Sequence, residues 1–316
     1  MLWLPYGEAT DGWNSRGPQN TSLPRGRRAA DSSSAPVVRR AVALTLQSRV
    51  SLNDGNTMPV LGLGVWQAAS GKETRRAVDH ALKIGYRLFD TAKLYGNERD
   101  VGAAVRESGI PREEIFVTTK LWNDDHGYER ALRAFERSRK ELGLDYVDLY
   151  LIHWPESNLR GESWKAFLKL KEEGLARSIG VSNYTTRYLQ ELLSESPRPP
   201  AVNQVEFHPF LYQRELLEFS RAHGIQLEAY SPLVRGRRMD HPIIRAIAAQ
   251  HKRTPAQVLI RWSLQHGLVV IPKSVKPERI QENAAVFDFE LTAKEMERLD
   301  DLNERSHVAW NPENLP

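Results

Sequence analysis

The chain has 316 residues, of which 41% are hydrophobic and 27% charged, a composition typical of a globular protein in water. It contains no cysteine, which excludes disulfides, thiolate metal ligands and cysteine nucleophiles and favours a reducing compartment. No apolar run approaches the roughly 20 residues that span a bilayer, so we expect a cytoplasmic protein without a membrane partner.

Residues 1–44 differ in composition from the rest of the chain. Six arginines stand against three acids here, so this segment carries +3 of the net charge of +4. It is rich in Arg, Ser, Pro and Gly and has no apolar periodicity, which predicts a disordered basic extension. Its acids and the missing amphipathic helix argue against a transit peptide. Because no basic helix face recurs in the body, we expect no nucleic-acid partner.

The pattern becomes regular over residues 45–316, which we interpret as one domain. The stretch Asn53–Asn56 is a hairpin turn signal between two short alternating segments. Eight apolar segments then alternate with amphipathic helical patterns: VLGLGVW, YRLFDTA, IFVTTKL, YVDLYLIHW, ARSIGVSN, AVNQVEF, IQLEAYSPL and LVVIPKS. Near-continuous apolar strands in repeated βα units predict an α/β fold, a closed (β/α)8 TIM barrel with an N-terminal hairpin cap. LTAKEMERLDDLN predicts an extra C-terminal helix.

Polar side chains stand at the ends of strands two to eight. Because the active sites of such barrels lie at the carboxyl ends of the strands, these residues should line one polar cavity. They are Asp90, Lys120, His153, Ser182 with Asn183, Gln204 with Glu206, Tyr230, and Lys273 with Ser274.

One subset of these residues suits proton transfer. A tyrosine hydroxyl is a poor acid near neutral pH, but a nearby ammonium favours tyrosinate and lowers its pKa. Asp90, Lys120 and Tyr95 could form such a group if the loop after strand two folds Tyr95 over the barrel mouth, and His153 could bind a substrate oxygen. Lys93, on the same loop, is expected to point to solvent without a catalytic role.

A second subset suits a nicotinamide cofactor. Tyr230 offers a flat face for a ring, and Asn183 and Gln204 offer amide partners. Lys273, Ser274 and Arg279 surround the last strand end, where such barrels often bind phosphate, and they suit a phosphomonoester. No GxGxxG fingerprint follows a strand, so a Rossmann domain is not expected.

Seven motifs in this order resemble the aldo-keto reductase superfamily over residues 45–316: DTAKLYGNE, TTKLW, LIHWP, GVSNY, NQVEFHP, AYSPL and IPKS. The likeness is closest to the microbial diketogluconate-reductase-like and methylglyoxal-reductase-like branch. It implies NADPH without a metal and reduction of aldehydes and small ketones. It also implies Tyr95 as proton donor, tuned by Lys120 and Asp90, with His153 orienting the carbonyl.

The resemblance further implies a set of cofactor contacts. They run from the nicotinamide carboxamide and ring through the pyrophosphate to the 2′-phosphate and adenine: Ser182, Asn183, Gln204, Tyr230, Ser231, Leu233, Lys273, Ser274, Arg279, Glu282 and Asn283.

Four tryptophans and a basic segment leave alternatives open. Trp66, Trp122 and Trp154 lie at strand ends and suit either the core or an apolar substrate wall. Trp310 would cover the pocket if its segment returns to the mouth. Arg235, Arg237 and Arg238 suit either cofactor binding or solvated charge.

Two other functions are possible on such a barrel. A cofactor-binding regulatory subunit on the same barrel would bind NADPH with little turnover, and the complete Tyr95, Lys120, Asp90 and His153 set argues against it. A barrel glycosidase needs two facing carboxylates, and Asp90 is better explained by Lys120. We expect a small-molecule carbonyl substrate and a monomer or weak dimer.

Overall fold

The computed structural model describes residues 44–156, 158–196 and 198–315. The predicted extension, residues 1–44, lies outside this part except for Leu44. Its disorder and the domain boundary therefore remain predictions.

A β-hairpin begins the described chain. Strand β1 (Arg49–Ser51) pairs antiparallel with β2 (Thr57–Pro59) around the predicted turn. Asp54 Oδ1 accepts a hydrogen bond from the Asn56 amide at 3.1 Å and stabilises this turn. The predicted hairpin is confirmed.

Eight parallel strands form the barrel. They follow one another in chain order, each paired with the next, as expected for serial βα units. The strands are β3 (Leu63–Gly64), β4 (Leu88–Asp90), β5 (Phe116–Leu121), β6 (Val147–Ile152), β7 (Ala176–Ser182), β8 (Val202–Glu206), β9 (Gln226–Tyr230) and β10 (Val269–Val270). Parallel bridges from Leu61 to Val270 and from Gly64 to Lys273 join the two ends of the sheet. The predicted (β/α)8 barrel is confirmed.

Helices surround the strands. In the described part of the chain they are α1 (Lys72–Lys83), α2 (Glu98–Glu107), α3 (Tyr128–Leu142), α4 (Arg160–Glu172), α5 (Thr186–Glu195), α6 (Arg214–Ala222), α7 (Pro242–His251), α8 (Pro255–Gln265), α9 (Pro277–Ala284) and α10 (Ala293–Asp300). Helix α10 is the predicted extra helix, and a capping box between Thr292 and Glu295 begins it. None of the described helices is long and apolar enough to cross a membrane.

The hairpin closes the amino-terminal end of the barrel. Leu52 and Met58 are buried with Leu88, Phe116 and Leu149 in one apolar cluster inside the strands. Each such side chain contributes about 1.5–3 kcal/mol by leaving water. With this end sealed by apolar packing, the polar side chains gather at the opposite end, where the strands finish.

Candidate active site

The carboxyl end of the barrel holds a buried ion pair. Lys120 Nζ, on β5, donates to Asp90 Oδ1 and Oδ2, on β4, at 2.6 and 2.8 Å. It also donates to the Thr91 carbonyl at 2.9 Å and to Tyr95 Oη at 3.2 Å. Lys120 is fully buried and Asp90 nearly so. The predicted Asp90, Lys120 and Tyr95 group is thus one chain of contacts.

A short 3₁₀ turn, Lys93–Tyr95, brings the tyrosine over the mouth. Gly96 follows it with φ 68°, a left-handed conformation that glycine adopts without strain. Asn97 is buried and anchors the loop, because its Nδ2 donates to the Val65 carbonyl at 3.0 Å and its Oδ1 accepts from Thr91 at 2.8 Å. The loop geometry that the sequence left open is therefore fixed by its own amide side chain.

Lys93 points away from this chain of contacts. It forms an ion pair with Asp125, on the loop after β5, so it is not simply solvated as expected. Glu98, at the start of α2, accepts from Thr119 Oγ1 at 2.6 Å. Both residues fasten the loop to neighbouring elements.

The electrostatics of Tyr95 differ from the sequence-based expectation. Burial raises the pKa of Tyr95 to about 12, although Lys120 acts in the opposite direction. Burial also lowers the pKa of Lys120, but the charge and hydrogen bonds of Asp90 oppose it and leave that pKa raised. Lys120 is therefore charged and Tyr95 protonated at neutral pH.

His153 follows β6 and faces Tyr95. Their ring centroids are 5.8 Å apart, edge to face. Burial, followed by the Lys120 charge, holds the pKa of His153 well below its ordinary value, so the imidazole is neutral. A neutral imidazole can bind an oxygen without competing with Tyr95 as the acid.

Gln204 connects Asp90 to a second buried carboxyl group. Its Nε2 donates to Asp90 Oδ2 at 2.8 Å and to Glu228 Oε2 at 2.7 Å. Glu228 lies on β9 in register with Gln204 and is fully buried. Burial and then the Asp90 charge raise the pKa of Glu228 to about 8.

The predicted ring and carboxamide residues form a network beside this group. Tyr230 Oη donates to Asn183 Oδ1 at 2.8 Å, and Asn183 Nδ2 donates to the His153 carbonyl at 2.9 Å and to Ser182 Oγ at 3.1 Å. Ser182 Oγ donates in turn to the Gln204 carbonyl at 2.8 Å. Asn183 has φ 63°, a conformation that asparagine tolerates better than most residues.

Cations gather at the other end of the site. Lys273 and Arg279 are exposed and form no ion pair within the described residues. Ser274 Oγ accepts from the Lys276 amide at 3.1 Å, just before α9. Of the three arginines in the basic segment, Arg235 lines the site, whereas Arg238 pairs with Glu304.

One cleft of about 1210 Å³ joins the two ends. Its lining includes the catalytic candidates Asp90, Tyr95 and His153, and all predicted cofactor contacts: Ser182, Asn183, Gln204, Tyr230, Ser231, Leu233, Lys273, Ser274, Arg279, Glu282 and Asn283. Lys120 lies behind this wall. An aromatic face and amides at one end and unpaired cations at the other fit an elongated anionic cofactor. No cluster of metal-ligating side chains occurs in the described part of the chain.

Four tryptophans form the outer wall of the cleft. Trp66 contacts the Tyr95 ring, with centroids 4.8 Å apart, and Trp122 contacts His153 at 5.1 Å. Trp310 reaches the mouth and contacts Trp122 and Trp154, at 6.4 and 5.5 Å. Its segment does return to the pocket.

Glu206 fastens the segment that carries Trp310. Its carboxylate accepts from the Val308 and Ala309 amides at 2.7 and 3.1 Å, and it contacts the rings of His208 and His307. Burial opposes ionisation, but these hydrogen bonds outweigh it and lower the pKa of Glu206 to about 2.

Sequence reasoning missed the role of Glu206 and did not single out Glu228. Glu228 stands two positions before Tyr230 in an otherwise apolar strand, so both side chains point to the same face of the sheet. A carboxylic acid at such an inward-facing position is the sequence signal that could have identified Glu228.

Comparisons with known proteins agree with this architecture. The family model described as Aldo/keto reductase family matches residues 60–304. The chain is 49% identical over 271 residues to a Bacillus subtilis protein described as glyoxal reductase, covering 86% of this chain and 98% of that protein. It superimposes on a crystal structure of an aldo/keto reductase from Brucella melitensis with a TM-score of 0.78 and 50% identity, covering 81% and 99% of the two chains. A Bombyx mori aldo-keto reductase solved in complex with NADP gives a TM-score of 0.80 and 37% identity, covering 84% and 96%. The resemblance inferred from the motifs is thereby confirmed, and the chain belongs to the aldo/keto reductase family of oxidoreductases.

Proposed function

We propose that this protein is an NADPH-dependent reductase of aldehydes and small ketones. The observation that carries the proposal is the contact chain from Asp90 through Lys120 to the hydroxyl of Tyr95, which borders the cleft. The glyoxal reductase relative and the NADP complex of a related structure support the same reading of substrate and cofactor.

In this proposal Tyr95 is the proton donor. Because its pKa is high, the hydroxyl of Tyr95 stays protonated at every physiological pH. As negative charge develops on a carbonyl oxygen, the proton moves from Oη to that oxygen, and Lys120 stabilises the tyrosinate that remains. Asp90 holds Lys120 in place through both carboxylate oxygens. The neutral ring of His153 orients the carbonyl oxygen beside Tyr95.

The cofactor residues divide by chemistry. When bound, the reduced nicotinamide supplies the hydride. We assign its ring to Tyr230 and its carboxamide to Ser182, Asn183 and Gln204. Ser231 and Leu233 would follow the pyrophosphate, Lys273, Ser274 and Arg279 would bind the 2′-phosphate, and Glu282 and Asn283 would border the adenine. Trp66, Trp122 and Trp154 would form the substrate wall.

Substitution of Tyr95 by Phe tests the catalytic assignment. It removes one hydroxyl and keeps the ring against Trp66, so we expect kcat to fall by roughly 10²–10⁴-fold while NADPH affinity is retained. Consumption of NADPH with methylglyoxal, 4-nitrobenzaldehyde, a diketone and an aldose measures turnover, and quenching of protein fluorescence measures affinity. Each substrate is repeated with NADH.

The matched control is Tyr212→Phe, which removes a hydroxyl from a tyrosine outside the cleft. Full activity in Tyr95→Phe would refute the donor assignment. Tight NADPH binding by the unaltered protein without turnover on any substrate would favour the regulatory-subunit alternative.

A further inference from the structure

A second carboxyl group lies beneath the catalytic ion pair. Glu228 is fully buried, and its only hydrogen bond among the described residues comes from Gln204 Nε2. Its other oxygen, Oε1, is buried without a partner there. A buried carboxylate in this position is costly, and a proton on the group removes that cost.

The neighbours of Glu228 come from several strands. Gln204 on β8, Asp90 on β4 and Lys120 on β5 are the polar or charged groups nearest to it. Tyr95, on the loop after β4, also lies close enough for the Glu228 charge to raise its pKa. Its register partner on β10 is the apolar Val269. With Asp90 and Lys120 both ionised, the cluster is neutral when Glu228 holds a proton and carries one negative charge when it does not.

The protonation state of Glu228 can affect the cleft through Gln204. Its amide nitrogen is committed to the two carboxyl groups, so its amide oxygen is the atom left to face the cleft that the residue lines. Glu228 itself does not line the cleft. It therefore acts on a ligand only through Gln204 and through its charge.

We propose that Glu228 is a positioning residue whose protonation state selects between the two redox forms of the bound cofactor. The proposal rests on the proposed nicotinamide cofactor. A protonated Glu228 leaves the buried cluster neutral and suits the uncharged reduced ring. An ionised Glu228 adds a negative charge below the cleft and favours the positively charged oxidised ring.

By linkage, binding of the oxidised cofactor favours release of the proton from Glu228, and binding of the reduced cofactor favours its uptake. Burial and the Asp90 charge place the pKa of Glu228 at about 8, within reach of experiment. At neutral pH the protein should therefore hold NADPH more favourably relative to NADP⁺, and this preference should weaken in alkali.

The test is equilibrium binding of NADPH and NADP⁺ by fluorescence at about pH 6 and about pH 9. In the unaltered protein the dissociation constant of NADP⁺ should fall relative to that of NADPH by on the order of tenfold between the lower and the higher pH, because one pKa unit corresponds to a tenfold change. In Glu228→Gln, which keeps an acceptor for Gln204 but cannot ionise, the ratio should stay constant. Titration of the 2′-phosphate affects both ligands alike and cancels in the ratio.

Glu295→Gln is the matched control, because Glu295 is a buried carboxyl group that hydrogen-bonds Thr292 at the start of α10 and does not line the cleft. It should behave like the unaltered protein. A constant ratio in the unaltered protein, or the same shift in Glu228→Gln, would overturn the proposal. Failure to bind either cofactor would overturn both proposals, whereas binding with the expected shift but no turnover would refute only the reductase function.

Discussion

Asp90 binds two groups of the site at once. Its two oxygens bind Lys120, and one of them also accepts from Gln204. A fully buried ammonium is tolerated because this carboxylate and the Thr91 carbonyl replace its water. Removal of Asp90 would leave that charge without compensation, so a simple deletion would change stability together with the catalytic role that we propose for it.

The proposed 2′-phosphate site can be tested at Lys273 and Arg279, because both are exposed and form no ion pair within the described residues. Lys273→Gln or Arg279→Gln should raise the dissociation constant of NADPH by roughly 10–100-fold, as a charged hydrogen bond to phosphate contributes about 1.5–3 kcal/mol. NADH lacks the 2′-phosphate, so its dissociation constant should not change. Fluorescence titration with both cofactors measures the contrast.

Arg298→Gln on α10 serves as the control, since Arg298 is exposed and does not line the cleft. If either cleft substitution weakened NADPH and NADH equally, the 2′-phosphate would have to bind elsewhere.

Single residues were predictable where a strand end fixes their direction. Lys120 could be preferred to Lys93 from sequence because the strand position orients it toward the mouth, and the structure gives Lys93 a different partner. The net pKa of Tyr95 could not be obtained in this way. The sequence indicates the nearby ammonium, but the degree of burial depends on packing of the whole mouth.

Among the elements, the segment after α10 depends most on distant contacts. At one end Asn303 Oδ1 accepts from the Tyr212 amide at 3.2 Å, and at the other the Leu315 carbonyl accepts from Tyr188 Oη at 2.7 Å. Glu206 holds the middle, next to Trp310. The segment is a strap across the mouth, fastened to three different parts of the barrel.

Glu206→Gln should weaken the attachment of this segment to the barrel, and the size of the effect should depend on pH. The folded pKa of Glu206 is about 2, below its ordinary value of 4.5, so its stabilising effect is present above about pH 4.5 and is lost as the pH falls toward 2. We expect Glu206→Gln to lower the free energy of unfolding by about 1–3 kcal/mol near neutral pH. This difference should narrow as the pH falls.

Denaturant titrations across that pH range measure the effect. Glu98→Gln is the control for this stability measurement, because burial raises the pKa of Glu98 and predicts the opposite trend. A difference that does not vary with pH would show that the substitution acts through packing and not through the charge of Glu206.

Elements with local signals were predictable, and the strap was not. Thr254 begins α8 with a capping box to Gln257, and such a cap is a local signal because it involves only neighbouring residues. The partners of Glu206 in the C-terminal segment, by contrast, lie about a hundred positions away in sequence. No local pattern specifies such a contact.

For the whole molecule, the barrel was predictable because consecutive βα units leave few alternatives to parallel pairing in chain order. The lengths of the terminal strands were not predictable. The segment VLGLGVW contributes only Leu63–Gly64 as regular strand, and LVVIPKS only Val269–Val270. These two strands are the ends of the sheet that meet when the barrel closes, and this closure is a property of the complete barrel.

Among the described residues, those that line the cleft fall between Gly64 and Trp310. A chain that starts at Leu44 should therefore keep the kcat/KM and the free energy of unfolding of the full chain. A chain that starts at Gly62 should lose at least about 3 kcal/mol, since it also loses the buried side chains Leu52 and Met58. Steady-state kinetics and denaturant titration distinguish the two truncations. Loss of activity in the first would give residues 1–43 a role that the sequence does not indicate.

The seam between β3 and β10 has a consequence for the lifetime of the protein in a cell. Backbone hydrogen bonds of Gly62 to Val270 and of Gly64 to Pro272 close it, and Gly64 and Lys273 both border the cleft. A cofactor in the cleft would contact residues on both sides of the seam and stabilise its closed form. Because a ligand that binds only the closed form suppresses opening in proportion to its concentration, proteases would encounter fewer open molecules when the cofactor is abundant. The amount of the protein would then follow the supply of the cofactor without any change in its synthesis.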